Sequence, residues 1–145
     1  TRRFYSVAEH SVRVLDLLRC HLPGTAVPTQ RAALLHDASE AYLCDLARPI
    51  KNTEEMSHYR LIEQINMDAV MRRFKLAPDS YNHIVIKKYD DIMLATERRY
   101  LLGPSGVEWL IQELPLQLPW WDRMGWSPSK ARRVFLRRAR MLDIV

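Results

Sequence analysis

His36 and Asp37 are adjacent behind the apolar run Ala33-Leu34-Leu35, and Glu40 follows three residues after Asp37. Two strongly polar side chains at the end of an apolar helical run are costly to bury unless something hydrogen-bonds or coordinates them. A divalent cation meets that need. His10 lies earlier in the chain and Asp90 later, so two imidazoles and two carboxylates could meet from three separate segments. Mixed nitrogen and oxygen donors suit manganese, iron, cobalt, nickel or zinc. Four protein ligands in an octahedral shell leave two positions, one for water and one for a phosphate oxygen. Such an ion acidifies water and polarises a phosphoryl group. Asp90 and Asp91 are neighbours and either could be the last ligand; a helical stripe through Lys87 and Leu94 favours Asp90. Outside this constellation a His-Asp pair is an ordinary hydrogen-bonded helix end, and Glu40 an ordinary solvated carboxylate.

Positioning these groups falls to helices. The chain has 145 residues, 48% of them hydrophobic and 27% charged, which is one domain's length with material for a core. Only 4 glycines occur, no strand-like alternation is sustained, and apolar spacings of three and four recur throughout. An all-α bundle of about five to six main helices follows, in a single domain over residues 1–145.

The first helix is expected over residues 7–22, with Ser6 as cap and Glu9 at the capping-box position. Val14, Leu17, Leu18 and Cys20 supply apolar bulk, His10 faces inward, and Pro23-Gly24 stops the helix. The second follows Pro28, is capped by Thr29 and runs to Tyr42, with His36, Asp37 and Glu40 in its last turns. Residues 43–51 read as loop because Pro49 disfavours helix at Arg48. The third spans residues 53–74 with Met56, Tyr59, Ile62, Ile65, Ala69 and Phe74 on one face, and is broken by Ala77-Pro78-Asp79. The fourth spans residues 80–102, ended by Gly103-Pro104. His83, Lys87, Asp90, Leu94 and Glu97 share a stripe on it that is too polar for ordinary core. Residues 103–126 read as irregular, with a short helix at 107–113. Ser127-Pro128 opens the last helix, which runs to Asp143 with Val134, Phe135, Ala139 and Leu142 inward. Lys130, Arg132, Arg133, Arg137, Arg138 and Arg140 give it a basic side.

With these segments in place, the sequence resembles the HD-domain metal-dependent phosphohydrolases. It is most similar to the branch holding the YfbR-like 5'-deoxynucleotidases and the phage dATP triphosphohydrolases called DatZ. The matching stretches run from Arg3 to Ser11, Ala33 to Tyr42, Asp45 to Lys51 and Lys87 to Glu97, in that order. The ending Phe135-Leu136-Arg137-Arg138 also fits. The resemblance implies that His10, His36, Asp37 and Asp90 hold a metal ion: zinc, cobalt or manganese, with magnesium as a candidate second ion. It implies that Glu40 and Asp45 orient or deprotonate the attacking water and handle the leaving oxygen. Lys51 and Lys87 would meet phosphate oxygens, with Arg3, beside Arg2 and Phe4, contacting the nucleotide. The activity implied is hydrolysis at the 5' phosphoester of a deoxynucleotide. A dATP triphosphohydrolase is favoured; a 5'-deoxynucleotidase acting on monophosphates and a non-catalytic nucleotide-binding protein are the alternatives. The resemblance also implies a homo-oligomer, a dimer or a hexamer, and a segment ahead of Thr1 that supplies part of the base pocket.

Other classes find less in the sequence. No apolar run approaches the roughly 20 residues of a membrane span, and no signal-peptide pattern is present. Cys20 and Cys44 are too few for a disulfide framework, which points to the cytoplasm, or to a host's cytoplasm if the source is viral. The net charge of +5 suits phosphorylated substrates or nucleic acid. The absence of zinc-finger, RNA-recognition and strong helix-turn-helix cues argues against nucleic acid as the partner. No P-loop or dinucleotide fingerprint is present, so lysines and a metal would have to hold a nucleoside triphosphate.

Overall fold

The computed structural model describes residues 4–44, 46–102, 111–119 and 124–145. Every regular element among them is helical. Five helices of nine residues or more are present: α1 (Val7–His21), α2 (Val27–Leu35), α4 (Ser57–Arg73), α5 (Ile84–Leu101) and α6 (Pro128–Met141). A single turn, α3 (Arg48–Lys51), and three short 3-10 turns complete the set.

α1 is the central helix. Ser6 caps it, its Oγ accepting from the Glu9 N–H at 3.2 Å. Val12, Val14, Leu15 and Leu18 are fully buried, and α2, α5 and α6 pack around them. Ala32 and Ala33 give α2 a small-residue face towards this core, and Met67 and Met71 enter it from α4. Cys20, expected to add apolar bulk, is exposed.

The capping-box reading of Glu9 gives way to a larger role. Its side chain is wholly buried. It accepts from Arg13 Nε at 3.0 Å, from the Gly125 N–H at 3.1 Å and from the Trp126 N–H at 2.6 Å. One carboxylate thus ties α1 to the strand of chain that enters α6. Arg13 lies 5.0 Å from the centre of the Trp126 ring, and Lys130 lies 4.6 Å from it. Further along, Arg138 grips Asp16 of α1 with two parallel hydrogen bonds of 2.7 and 2.8 Å.

Four other element expectations are corrected. Pro28 lies in the first turn of α2 and not before it, with Ala26 as cap and Thr29 inside the helix. Proline fits there because the first turn needs no N–H. α2 also ends at Leu35, not Tyr42, and residues 38–41 form a 3-10 turn. Residues 48–51 are a turn of helix, not loop, and Pro49 again occupies a first-turn position. On α4, Ile62 and Ile65 are 48% and 55% exposed and Ala69 is exposed. The inward stripe is Arg60, Glu63, Met67, Val70 and Met71. Arg60 donates to the Lys51 and Thr53 carbonyls at 2.6 Å each, so polar contacts to the preceding loop set the helix's rotation.

α4 and α6 both end without glycine. Lys75 and Asp143 take the left-handed conformation, with φ of 56° and 51°. Leu76 N–H then reaches the Met71 carbonyl, and Ile144 N–H the Ala139 carbonyl, each at 2.9 Å. These are six-to-one closures of a helix end, and they stop α6 at Met141 where residue 143 was expected. On α5, residues 80–82 form a separate 3-10 turn and His83 caps the helix, its Nδ1 accepting from Val85 N–H at 3.3 Å. Of the short helix expected at 107–113, residues 111–113 are irregular. Residues 107–110, Gly103-Pro104, Trp120 and Trp121 lie outside the described residues. Among the described residues no helix is long and apolar enough to cross a membrane.

Replacing Glu9 by alanine removes the acceptor of two backbone donors and the partner of a buried guanidinium. We expect a loss of about 3–5 kcal/mol, a fall in Tm of roughly 10–16 °C for a chain of this size. Thermal unfolding followed by circular dichroism checks it; a change within about 2 °C would mean that this tether is not needed.

Candidate metal centre

The end of α2 is set by the residue that needs to be there. Carbonyls in a last helical turn have no following N–H to accept from. Ala33 O lies 2.9 Å from His36 Nδ1. A carbonyl only accepts, so His36 carries a proton on Nδ1 and directs Nε2 away from the helix. Asp37 follows with φ −109° and ψ 22°, which turns its carboxylate beside the imidazole.

His10 comes from the first turn of α1 and Asp90 from α5. His10 Nε2 is 3.2 Å from His36 Nε2, 3.4 Å from Asp37 Oδ2 and 3.2 Å from Asp90 Oδ1. His36 Nε2 is 3.3 Å from Asp37 Oδ2 and 3.9 Å from Asp90 Oδ1. The ligand atoms of His10, His36 and Asp37 all lie within 4.8 Å of one another, close enough to hold a metal ion. Metal–nitrogen and metal–oxygen bonds of about 2.0–2.2 Å put neighbouring ligand atoms roughly 3–3.5 Å apart, and most of these separations fall in that range. His10 and His36 are buried and Asp90 nearly so.

The electrostatics agree with a site that wants positive charge. Burial alone would lower the His10 pKa, but hydrogen bonds with Asp90 and Glu97 and the charges of Glu97 and Asp37 hold it well above its ordinary value. Burial likewise opposes protonation of His36, and the Asp37 charge and hydrogen bond prevail, raising it to about 9. Asp37 and Asp90 are held below the usual carboxylate range: burial works against this, and His36 for Asp37, and His10 with His36 for Asp90, outweigh it. Protons or a cation must sit among these four groups.

The other expected residues are placed as follows. Glu40 is half-buried in the 3-10 turn after Asp37, its N–H donating to the Asp37 carbonyl at 3.0 Å. Lys87 is exposed on α5, one turn before Asp90. Lys51 Nζ is 2.5 Å from Glu63 Oε1, an ion pair between α3 and α4. Asp91 is half-buried. Arg3 and Asp45 lie outside the described residues, as does Arg2. Of the remaining histidines, His21 meets the edge of the Tyr89 ring and His58 and His83 are exposed.

Two residues at the site had been given no role in it. Glu97 Oε1 is 2.5 Å from His10 Nδ1 and accepts the Tyr5 hydroxyl at 2.7 Å. Glu97 was visible as the end of the polar stripe on α5, two turns beyond Asp90. Nothing in the sequence alone marked Tyr5.

Against known proteins, the chain is 35% identical over 138 residues to YfdR, an uncharacterized protein of Escherichia coli K12; the match covers 93% of this chain and 70% of that protein. The chain belongs to the YfdR family. An uncharacterized protein of Rhodobacter capsulatus is 40% identical over 106 residues, covering 72% of this chain and 54% of that protein. No family profile matches the chain.

Two outcomes are expected of this YfdR-family site. The raised His36 pKa stabilises the metal-free fold fully below the unfolded value of about 6.5 and is lost as pH rises through about 9. The depressed Asp37 and Asp90 values contribute above about 3.9 and are lost as pH falls below it. Chelator-treated protein should therefore lose stability on the order of 3 kcal/mol between pH 6.5 and 9.5 in urea titrations. Cation-loaded protein should gain across that window, because ligands must be deprotonated; parallel curves would count against a metal. Second, Asp90→Asn should weaken Mn2+ or Co2+ binding by about 100-fold or more while Asp91→Asn changes it by less than about threefold, measured by calorimetry. The reverse order would move the ligand to Asp91.

Proposed function

We propose that this protein hydrolyses deoxynucleotides at the 5' phosphoester with a divalent cation held by His10, His36, Asp37 and Asp90, and that its substrate is dATP. The convergence of two imidazole nitrogens and two carboxylate oxygens carries this reading. The resemblance to HD-domain phosphohydrolases supplies the substrate class. The cation is zinc, cobalt or manganese, and when bound it supplies Lewis-acid polarisation of a phosphoryl oxygen.

The chain's own groups do the rest. Water oxygen bonds to the α-phosphorus, the bond from phosphorus to the 5' oxygen breaks, and the proton lost by water is returned to that oxygen. Deoxynucleoside and triphosphate leave. Glu40, in the 3-10 turn that Asp37 caps, holds the water and takes its proton. Asp45 returns a proton to the 5' oxygen. Lys87 is exposed one turn from Asp90 and meets phosphate oxygens. Lys51 can do so only in competition with Glu63. Arg3 contacts the nucleotide, and a net charge of +5 draws the polyanion in. The same reading makes the protein a cytoplasmic homo-oligomer, dimer or hexamer; the exposed Leu61, Ile62 and Ile65 of α4 are apolar surface for such an assembly.

The test is incubation with each deoxynucleoside triphosphate and monophosphate in Mn2+, Co2+ or Zn2+, with products resolved by chromatography. Deoxyadenosine and intact triphosphate are expected, and Glu40→Ala should lower kcat about 100- to 10,000-fold with Mn2+ affinity kept. Phosphate released from monophosphates alone would replace this activity with a 5'-deoxynucleotidase. Binding without products would leave a nucleotide-binding protein.

A further inference from the structure

Glu97 lies behind the donor cluster, not in it. Its Oε1 receives two hydrogen bonds: His10 Nδ1 at 2.5 Å and the Tyr5 hydroxyl at 2.7 Å. The three side chains come from the stretch before α1, the first turn of α1 and the far half of α5. The His10 and Glu97 side chains are only 10% and 15% exposed, so water competes poorly for these bonds.

A glutamate carboxylate turns easily about its last torsion, whose energy profile is broad. A single bond from His10 would fix its distance and leave its plane free. A second donor on the same oxygen, from Tyr5, removes that freedom. With Glu97 fixed, the His10 ring is fixed, its Nδ1–H is engaged, and Nε2 is held towards His36, Asp37 and Asp90. The two imidazoles are held differently: His36 leans on a backbone carbonyl, His10 on an anion. An anionic partner makes the imidazole it holds the stronger donor.

We propose that Tyr5 and Glu97 form a clamp that positions His10 for a divalent cation, with Tyr5 acting only through Glu97. This rests on the metal-site reading above and adds two positioning residues to it. They touch neither cation nor substrate, so their effect is read in cation affinity and geometry and not only in turnover.

The test uses the full chain, stripped of metal and titrated with Co2+ alone, followed by calorimetry and by the visible absorption of bound Co2+. Thermal unfolding of each metal-free form runs beside it. Glu97→Ala should weaken Co2+ binding about 10- to 100-fold and move the absorption band. Tyr5→Phe should weaken it about two- to tenfold, the value of one hydrogen bond. Glu97→Gln, whose amide oxygen can still accept from both donors, should recover part of the loss. Because Tyr5 acts through Glu97, the double variant Tyr5→Phe/Glu97→Ala should bind no more weakly than Glu97→Ala alone. If Glu97→Ala does not fold, Tyr5→Phe and Glu97→Gln carry the test. Wild type that binds Co2+ while both of those variants match it in affinity and spectrum overturns the clamp and leaves the metal site standing, as does full additivity in the double variant. Wild type that binds neither Co2+, Mn2+ nor Zn2+ overturns the metal site and the clamp with it.

Discussion

Two imidazole nitrogens 3.2 Å apart, with carboxylate oxygens against both, cannot be enclosed in a protein interior without positive charge among them. That requirement shapes the fold. It fixes where α2 must stop, since only a residue at the end of that helix can bond back to Ala33 O and still send Nε2 across to α1. It fixes the rotation of α5, since Asp90 and Glu97, two turns apart, must both look at His10 from different sides. It also explains why α1 lies in the middle, where it can present His10 to two neighbouring helices.

How much of this could be read from residues alone depended on whether the signal was an anomaly or a balance. His36-Asp37 behind an alanine-leucine run is an anomaly, and so is an aspartate on the buried stripe of α5. Such groups stand out because apolar patterning predicts something else at their positions. The structure brings His10, His36 and Asp37 together, with Asp90 Oδ1 3.2 Å from His10 Nε2 and 3.9 Å from His36 Nε2. Glu97 was harder to see, since a glutamate near a helix end is ordinary. Tyr5 was invisible, because its role depends on a partner 92 positions away.

The misreadings of the fold share a cause. The face of α4 was assigned from the apolar spacing that runs from Met56 to Phe74, yet with Arg60 and Glu63 held by the preceding loop and Lys51, Met67 and Met71 are inward and Ile62 and Ile65 outside. Periodicity reports how apolar residues are spaced; it does not report which of two adjoining stripes wins when polar groups also have fixed partners. The two prolines went wrong for a smaller reason. Pro28 and Pro49 were taken as marks of where helix cannot be, and both occupy the opening turn, where a missing N–H costs nothing.

Glu9 and His10 are consecutive, and on a helix consecutive side chains point about 100° apart. One carboxylate is spent on the approach to α6 and the neighbouring ring on the donor cluster, while Val12, Val14 and Leu15 fill the directions between. α1 therefore has almost no quarter of its circumference on which a replacement would go unnoticed. The outward side of α6, where Arg132, Arg133, Arg137 and Arg140 meet solvent, is under no comparable restraint. Drift among descendants of this chain should be slow along the first helix and fast on the outward side of the last.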